Sequence, residues 1–331
     1  MKNALLSSPI QLGPVTLKNR IVVPPMADFG STGPDGRISE RHLRHYGALA
    51  RGGAGLLVIE ALSVNGLPGR RNTVFVSDDA CLPDLKRLAE ATAGGAAVLV
   101  QLFVPAVPLL PYDSLEAIPA SVFHTWTRQF ADAAARCRAA GFAGVTLHAA
   151  HGLFLNSIVE ENARADGYGG SFENRVRLLA ETIRAIRAAC GRDFIISVRF
   201  GHADPAELAA EAAAIERAGG DLLDVSFGCT GAFAKPADFP FGEFVYAASL
   251  VKKASSLPVI CVGGITDAET AEAILESGYA DLTAVGRGHL CDPDWAKKSL
   301  AGERPVPCRR CAKCQWFTDG ELCPARLAKS S

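Results

Sequence analysis

Two histidines, His148 and His151, stand three residues apart just after an apolar run, Val145-Thr146-Leu147, where a buried strand should end. A polar loop follows, closed by Asp166-Gly167-Tyr168-Gly169-Gly170-Ser171. Ser171 is a suitable N-cap for a helix that begins with Glu173 and Asn174. Strand, polar cluster, loop and helix make the active-site corner of a β/α enzyme. Three readings of the pair stay open. Neutral imidazole N–H groups would together grip a carbonyl oxygen and polarise a conjugated C=C for hydride attack. A metal would need further His or carboxylate ligands, yet the flanking residues are Ala149, Ala150 and Gly152. A purely structural pair is the third. The position at a strand's C-terminal end puts carbonyl binding first.

Other residues carry chemistry by type and place. Val262-Gly263-Gly264 and Val285-Gly286-Arg287 end the last two apolar runs. Glycines there let backbone N–H groups approach a phosphate, and Arg287 would add a charge-assisted bond. Tight turns without a ligand are the plainer alternative. Arg199 closes Ile195-Ile196-Ser197-Val198 and, if buried, needs an anion or an ion-pair partner such as Asp224 or Glu60. Near the C-terminus, Cys308, Cys311, Cys314 and Cys323 follow the pattern Cys-x2-Cys-x2-Cys-x8-Cys-Pro. Such spacing with a closing Cys-Pro suits iron–sulfur ligation, so a [4Fe–4S] cluster is expected first, zinc second and vacant thiols third.

The elements that must hold these residues alternate regularly. Apolar runs at 21–24, 54–59, 96–102, 144–147, 194–198, 222–225, 259–262 and 282–285 read as strands buried on both faces. Amphipathic stretches at 39–51, 83–93, 124–140, 172–190, 205–218, 243–254, 268–277 and 293–300 read as helices. Eight of each is the arithmetic of an α/β fold of the (β/α)8 TIM barrel type. An open doubly wound sheet is the rival, disfavoured because the phosphate signals come late in the chain. A composition shift at 302–307 predicts a barrel over 1–302 and a Cys-rich metal-binding tail over 303–331.

With 49% hydrophobic and 21% charged residues, the chain reads as a globular enzyme with a sizeable core. A net charge of -1 argues against nucleic-acid partners and against a membrane-surface patch. No signal peptide and no membrane-spanning apolar stretch is evident, which predicts a cytoplasmic protein. The other six cysteines, Cys81, Cys137, Cys190, Cys229, Cys261 and Cys291, read as scattered, buried, reduced thiols.

The run Tyr168-Gly169-Gly170-Ser171-Phe172-Glu173-Asn174-Arg175 after the His-x-x-His pair resembles the Old Yellow Enzyme family of FMN-dependent oxidoreductases. The opening Pro9-Ile10-x-Leu12-Gly13-Pro14-x-Thr16-Leu17-Lys18-Asn19-Arg20 and the stretch Tyr46-x4-Arg51-Gly52-Gly53-Ala54-Gly55 are also similar to it. The resemblance covers roughly residues 5–300 as a barrel. It implies Pro25, Met26, Ala27, Ala61, Gln101, Arg199, Gly264 and Arg287 as FMN contacts. Arg199 would stabilise the reduced ring, and the Gln101 amide suits the edge of the flavin pyrimidine.

Three departures stand out. Ala27 replaces a side chain that would bond the flavin. Gly152-Leu153-Phe154 lacks the family's proton-donating Tyr, so water, Cys229, Tyr246 or Tyr112 would have to serve. After Gln101-Leu102 the loop is short and apolar, which points to a hydrophobic substrate or a different cap. The tail is similar to the four-Cys segment of the 2,4-dienoyl-CoA reductase and trimethylamine dehydrogenase type, with different spacing.

The expectation is an enzyme passing hydride from NAD(P)H through FMN to an α,β-unsaturated carbonyl or related acceptor. Its rivals are a flavin and iron–sulfur electron-transfer protein without ene-reductase activity, and a metal-dependent barrel lyase using the two histidines. A small-molecule substrate is implied, and a redox partner protein and a homo-oligomer are both allowed. The sequence names neither the substrate nor the choice between NADH and NADPH.

Overall fold

The computed structural model describes residues 3–28, 30–33, 35–69, 71–160, 162–227 and 233–328. A short antiparallel hairpin, β1 (Ile10–Leu12) and β2 (Val15–Leu17), comes first. The eight apolar runs then form parallel strands: β3 (Ile21–Val23), β4 (Leu56–Ser63), β5 (Ala97–Phe103), β6 (Gly144–Ala149), β7 (Ile195–Phe200), β8 (Leu222–Val225), β9 (Val259–Val262) and β10 (Leu282–Ala284). They close into a barrel in the order β10-β3-β4-β5-β6-β7-β8-β9.

The barrel's inner face changes character from bottom to top. Leu56, Leu99, Ile195, Leu222, Ile260 and Leu282 fill the lower layers and pack with Leu12 and Leu17 of the hairpin, which seals that end. Burying each such side chain contributes about 1.5–3 kcal/mol. One residue pair higher, the same strands turn polar: Gln101 is registered with Thr146, and Thr146 with Ser197. Above them His148 is registered with Arg199, and Arg199 with Asp224. Because side chains alternate faces along a strand, a two-residue step keeps the same inward face.

The helices wrap the outside: α1 (Glu40–Arg51), α2 (Leu82–Thr92), α3 (Ala120–Ala140), α4 (Phe154–Val159), α5 (Phe172–Arg175), α6 (Arg177–Cys190), α7 (Pro205–Ala218), α8 (Glu243–Ala254), α9 (Ala268–Glu276), α10 (Gly286–Cys291) and α11 (Trp295–Leu300). The helix expected over 172–190 is interrupted at Val176, and the one expected from 293 begins at Trp295 after the additional α10. Caps set several starts. Ser39 accepts from the His42 backbone N–H, Asp204 from Ala206 and Glu207, and Asp267 from Thr270. Close packing fixes Gly52, where an added Cβ would lie 1.8 Å from the Pro293 carbonyl oxygen.

The tail, ending in α12 (Pro324–Leu327), packs back onto the barrel. Trp316 is 5% exposed, its ring 5.1 Å from that of His45 and 4.9 Å under the Arg326 guanidinium. Arg41 spans the joint, bonding Asp28 at 2.7 Å on one side and Asp319 at 2.7 Å on the other. Among the described residues no helix is long and apolar enough to cross a membrane, and every described cysteine is a free thiol.

Candidate active site

Strand β6 runs out into His148, and the chain then turns sharply. His151 sits at φ 63, a left-handed conformation that His tolerates better than most side chains. That turn brings its ring to 4.9 Å from His148, edge to face at 83°. The His151 Nε2 pairs with the Ser226 hydroxyl at 2.9 Å. Ser226 in turn accepts from Arg199 Nη2 at 3.0 Å, and Arg199 Nη1 bonds Asp224 Oδ2 at 2.8 Å. Of the two carboxylates weighed for Arg199, Asp224 takes it. Glu60 is occupied elsewhere, accepting from the Tyr46 hydroxyl at 2.9 Å.

Burial fixes the electrostatics of this cluster. His148 is held well below the ordinary imidazole pKa, first by burial, then by His151 and Arg199. His151 is lowered to about 4 by its crowding against the protein and by Arg199, although part of the residue meets solvent. Both rings are therefore neutral at physiological pH, each with one N–H to give. Burial pushes the Asp224 carboxyl up and Arg199 pulls it back, with a net upward direction. The Nδ1 of His148, the Nε2 of Gln101 and the Oδ1 of Asp224 are buried with no partner.

Gln101 lies two residues before the end of β5, beside a bulge in β4, where the register slips between Ile59 and Ala61. The bulge is held by Tyr46, whose hydroxyl accepts the Glu60 N–H at 3.1 Å. A cavity of ≈ 540 Å³ opens next to this polar ring, bordered by Pro24, Pro25, Met26, Arg199, Gly263, Gly264, Gly286 and Arg287 among others. Gly263 and Gly264 lie at φ 104 and φ 74, and a Cβ on Gly264 would meet nothing within 4 Å. These two residues leave backbone N–H groups bare, with room for an anion. Ala27 follows Met26 on the same segment, and Ala61 follows the bulge.

The structure thus brings together eight of the ten residues expected around a cofactor, either on this cavity or at adjacent strand ends, and places Ala27 and Ala61 beside them in the chain. Ser226 and Asp224 were not singled out as site residues by sequence. Ser226 lies one residue past β8, and the rule that function sits at C-terminal strand ends was the available signal.

The proton-donor position is as the sequence reads: half-buried Leu153 precedes α4. Tyr168 gives no substitute, because its hydroxyl bonds Glu181 at 2.9 Å and His124 at 3.1 Å. Tyr112 packs edge-on to Trp126 and Tyr246 against Phe239, neither bordering the cavity. Cys229 lies outside the described residues.

The tail cysteines border a second, small cavity of ≈ 20 Å³ together with Arg287, Arg309 and Trp316. Cys291 joins them, which corrects its reading as an isolated buried thiol. It clusters with Cys308 and Cys323, and burial and these two neighbours raise its pKa. Its place on α10, one turn after Arg287, carries it to the tail. Cys308 borders both cavities. Among the described residues no three His, Cys, Asp or Glu side chains are set closely enough to hold a metal ion. The thiols are gathered but not converged on one point.

A family model described as the NADH:flavin oxidoreductase / NADH oxidase family matches residues 6–117 and 116–304. The chain belongs to this family. Among its relatives, an NADH oxidase of Thermoanaerobacter brockii is 35% identical over 342 residues, covering 92% of this chain and 52% of that protein. A metal reductase of Desulforamulus reducens is 32% identical over 341 residues, covering 94% and 51%. The chain spans about half the length of both. An NADPH dehydrogenase of Bacillus velezensis is 33% identical over 334 residues, with 91% of this chain and 97% of that protein covered. In solved structures, a 2-naphthoyl-CoA reductase in complex with 2-naphthoyl-CoA is similar with a TM-score of 0.83 at 22% identity, covering 96% of this chain and 56% of that one. Morphinone reductase is similar with a TM-score of 0.77 at 24% identity, covering 92% and 91%. These likenesses show that the flavin oxidoreductase barrel is the shared fold.

Proposed function

We propose that this member of the family is an FMN-dependent oxidoreductase that takes hydride from NAD(P)H and reduces an α,β-unsaturated carbonyl or related acceptor. The observation that carries the reading is the polar layer beside the large cavity: the Gln101 amide in the upper part of β5 and the His148 ring beside Arg199 present buried, unpartnered nitrogens. Buried polar atoms without partners are costly and point to a missing ligand. The cavity's glycine pair fits the phosphate end of the same ligand. Bound FMN would supply the hydride acceptor and donor that no side chain provides.

The chain's own residues do the rest. His148 and His151, both neutral, would donate N–H bonds to the substrate's carbonyl oxygen and stabilise the charge that develops there. Ser226 holds the His151 ring, and Asp224 orients Arg199, whose remaining charge favours an electron-rich ring. Gln101 would bond the flavin's polar edge, Met26, Ala27 and Ala61 would line it, and Gly263, Gly264, Gly286 and Arg287 would take the phosphate. With Leu153 unable to give a proton, water would protonate the second carbon. The metal reading of His148 and His151 finds Ser226 and Arg199 as neighbours rather than further ligands.

For the tail, over residues 303–331, we keep a thiolate-bound [4Fe–4S] cluster through Cys308, Cys311, Cys314 and Cys323 as the reading, with zinc as the alternative. Four thiols on one cavity suit either chemically. The present spacing does not, since ≈ 20 Å³ is about the room one water needs and less than a cubane occupies. No electron path is derived through it. An electron-transfer role toward a partner protein is the second reading, favoured by Leu153 and by Cys308 lying on both cavities.

The test is flavin, iron and zinc quantification on anaerobically purified protein, followed by mixing the NAD(P)H-reduced protein with an enone. FMN at one per chain and enone-dependent reoxidation faster than that by oxygen are expected. Colourless protein that takes up no FMN would end the reading. Flavin that no enone reoxidises would leave only electron transfer.

A further inference from the structure

We propose that Arg310, carried by the Cys-rich tail, is a second cation for the phosphate of the bound flavin, so that the tail completes the cofactor site. This rests on the flavin reading above and assigns the tail a role there that needs no metal. Arg310 borders the same ≈ 540 Å³ cavity as Gly263, Gly264 and Arg287, although it lies 23 positions after Arg287 in the chain. Its backbone stands at φ 50, in the left-handed region that non-glycine residues seldom adopt. The Arg310 N–H donates to Cys308 Sγ at 3.4 Å, which holds that conformation.

Charge is left over on this rim. No carboxylate lies within ion-pair distance of Arg287 or Arg310 among the described residues. The carboxylate that borders the cavity, Asp267, is committed to capping α9, accepting the Thr270 N–H at 2.8 Å. A phosphate monoester carries about −1.5 to −2 at neutral pH, more than one guanidinium balances. Two unpaired guanidiniums on the same cavity as Gly263 and Gly264 match it. The adjacent Arg309 borders the small thiol cavity and not this one, so the two neighbouring arginines of the tail line different cavities.

The experiment compares FMN and riboflavin affinities by flavin fluorescence in the full chain, in Arg310→Gly and in Arg309→Ala. Glycine removes the cation and keeps the left-handed backbone accessible. Loss of Arg310 should weaken FMN roughly tenfold, flatten its salt dependence and leave riboflavin unchanged. Arg309→Ala should change neither. Unaltered FMN affinity in Arg310→Gly overturns the proposal. So does a raised KM for NADPH alone, which would give the cation to the nucleotide's phosphate, and so does equal loss of FMN and riboflavin, which would make the tail's role structural. If the wild-type chain binds neither flavin, the flavin reading itself has failed.

Discussion

His148 and His151 differ in what surrounds them, and that difference sets what each would do. His148 is buried at the strand end with Nδ1 bare, whereas His151 stands on a strained turn with its Nε2 already on Ser226. His148 should therefore carry more of the carbonyl's charge. Replacing His148 with Ala should lower kcat/KM for an enone by about 10²–10³-fold, and His151→Ala by less. His148→Asn, which keeps a donor, should recover part of the loss. Because His151 is lowered to about 4 and His148 is held well below the ordinary imidazole value, the kcat/KM profile should stay flat from pH 8 down to pH 5. An inflection near 6.5 that disappears in His151→Ala would show that these rings ionise in the working range.

At the scale of elements, the bulge in β4 and the turn after β9 are where the barrel departs from regularity to make a site. The Tyr46 hydroxyl serves two groups of Glu60 at once, the N–H and the carboxylate, in a place that is only 2% exposed. Tyr46→Phe strands both, and should cost about 1–3 kcal/mol in a urea denaturation midpoint. A change within error would mean that water reaches the bulge. Gly264 at φ 74 is the complementary case. Gly264→Ala places a β-carbon in open space but on a backbone that disfavours it, so FMN affinity should fall with little change in denaturation midpoint. Unchanged affinity would remove the glycine pair from the phosphate site.

The whole molecule shares a titration that local geometry conceals. Three buried imidazoles are held below the ordinary value: His148 well below, His45 to about 3 and His289 to about 4. An unfolded chain would protonate each near 6.5, while the folded chain does so later. The stability tied to their neutral state is thus complete above pH 6.5 and is lost as pH falls from there toward 4. The thermal midpoint should drop progressively over that interval, and less so when His148 is replaced by Asn. A midpoint independent of pH from 7 to 5 would contradict the burial of these rings. The tail is the other molecular-scale feature. Trp316 anchors it against His45 and Arg326, and Arg41 ties it to Asp28 on the segment that carries Met26. Trp316→Ala should open the tail to limited proteolysis after residue 302 while the barrel persists.

Strand number, strand order along the chain and the positions of His148, Arg199, Gly264 and Arg287 at or just past strand ends were legible in the residues, because apolar period and Gly punctuation are local signals, whereas β5 runs two residues beyond Gln101, which was read as its end. Legibility stopped where partners come from distant parts of the chain. Arg199 allowed two carboxylates in sequence, and barrel closure chose Asp224 by placing β7 beside β8. Cys291 looked like a scattered thiol because nothing in its neighbours shows that the tail folds back on α10. Sequence alone determined which candidate side chains stand near strand ends; the closing of the barrel and the docking of the tail decided which of them meet, since those contacts join residues far apart along the chain.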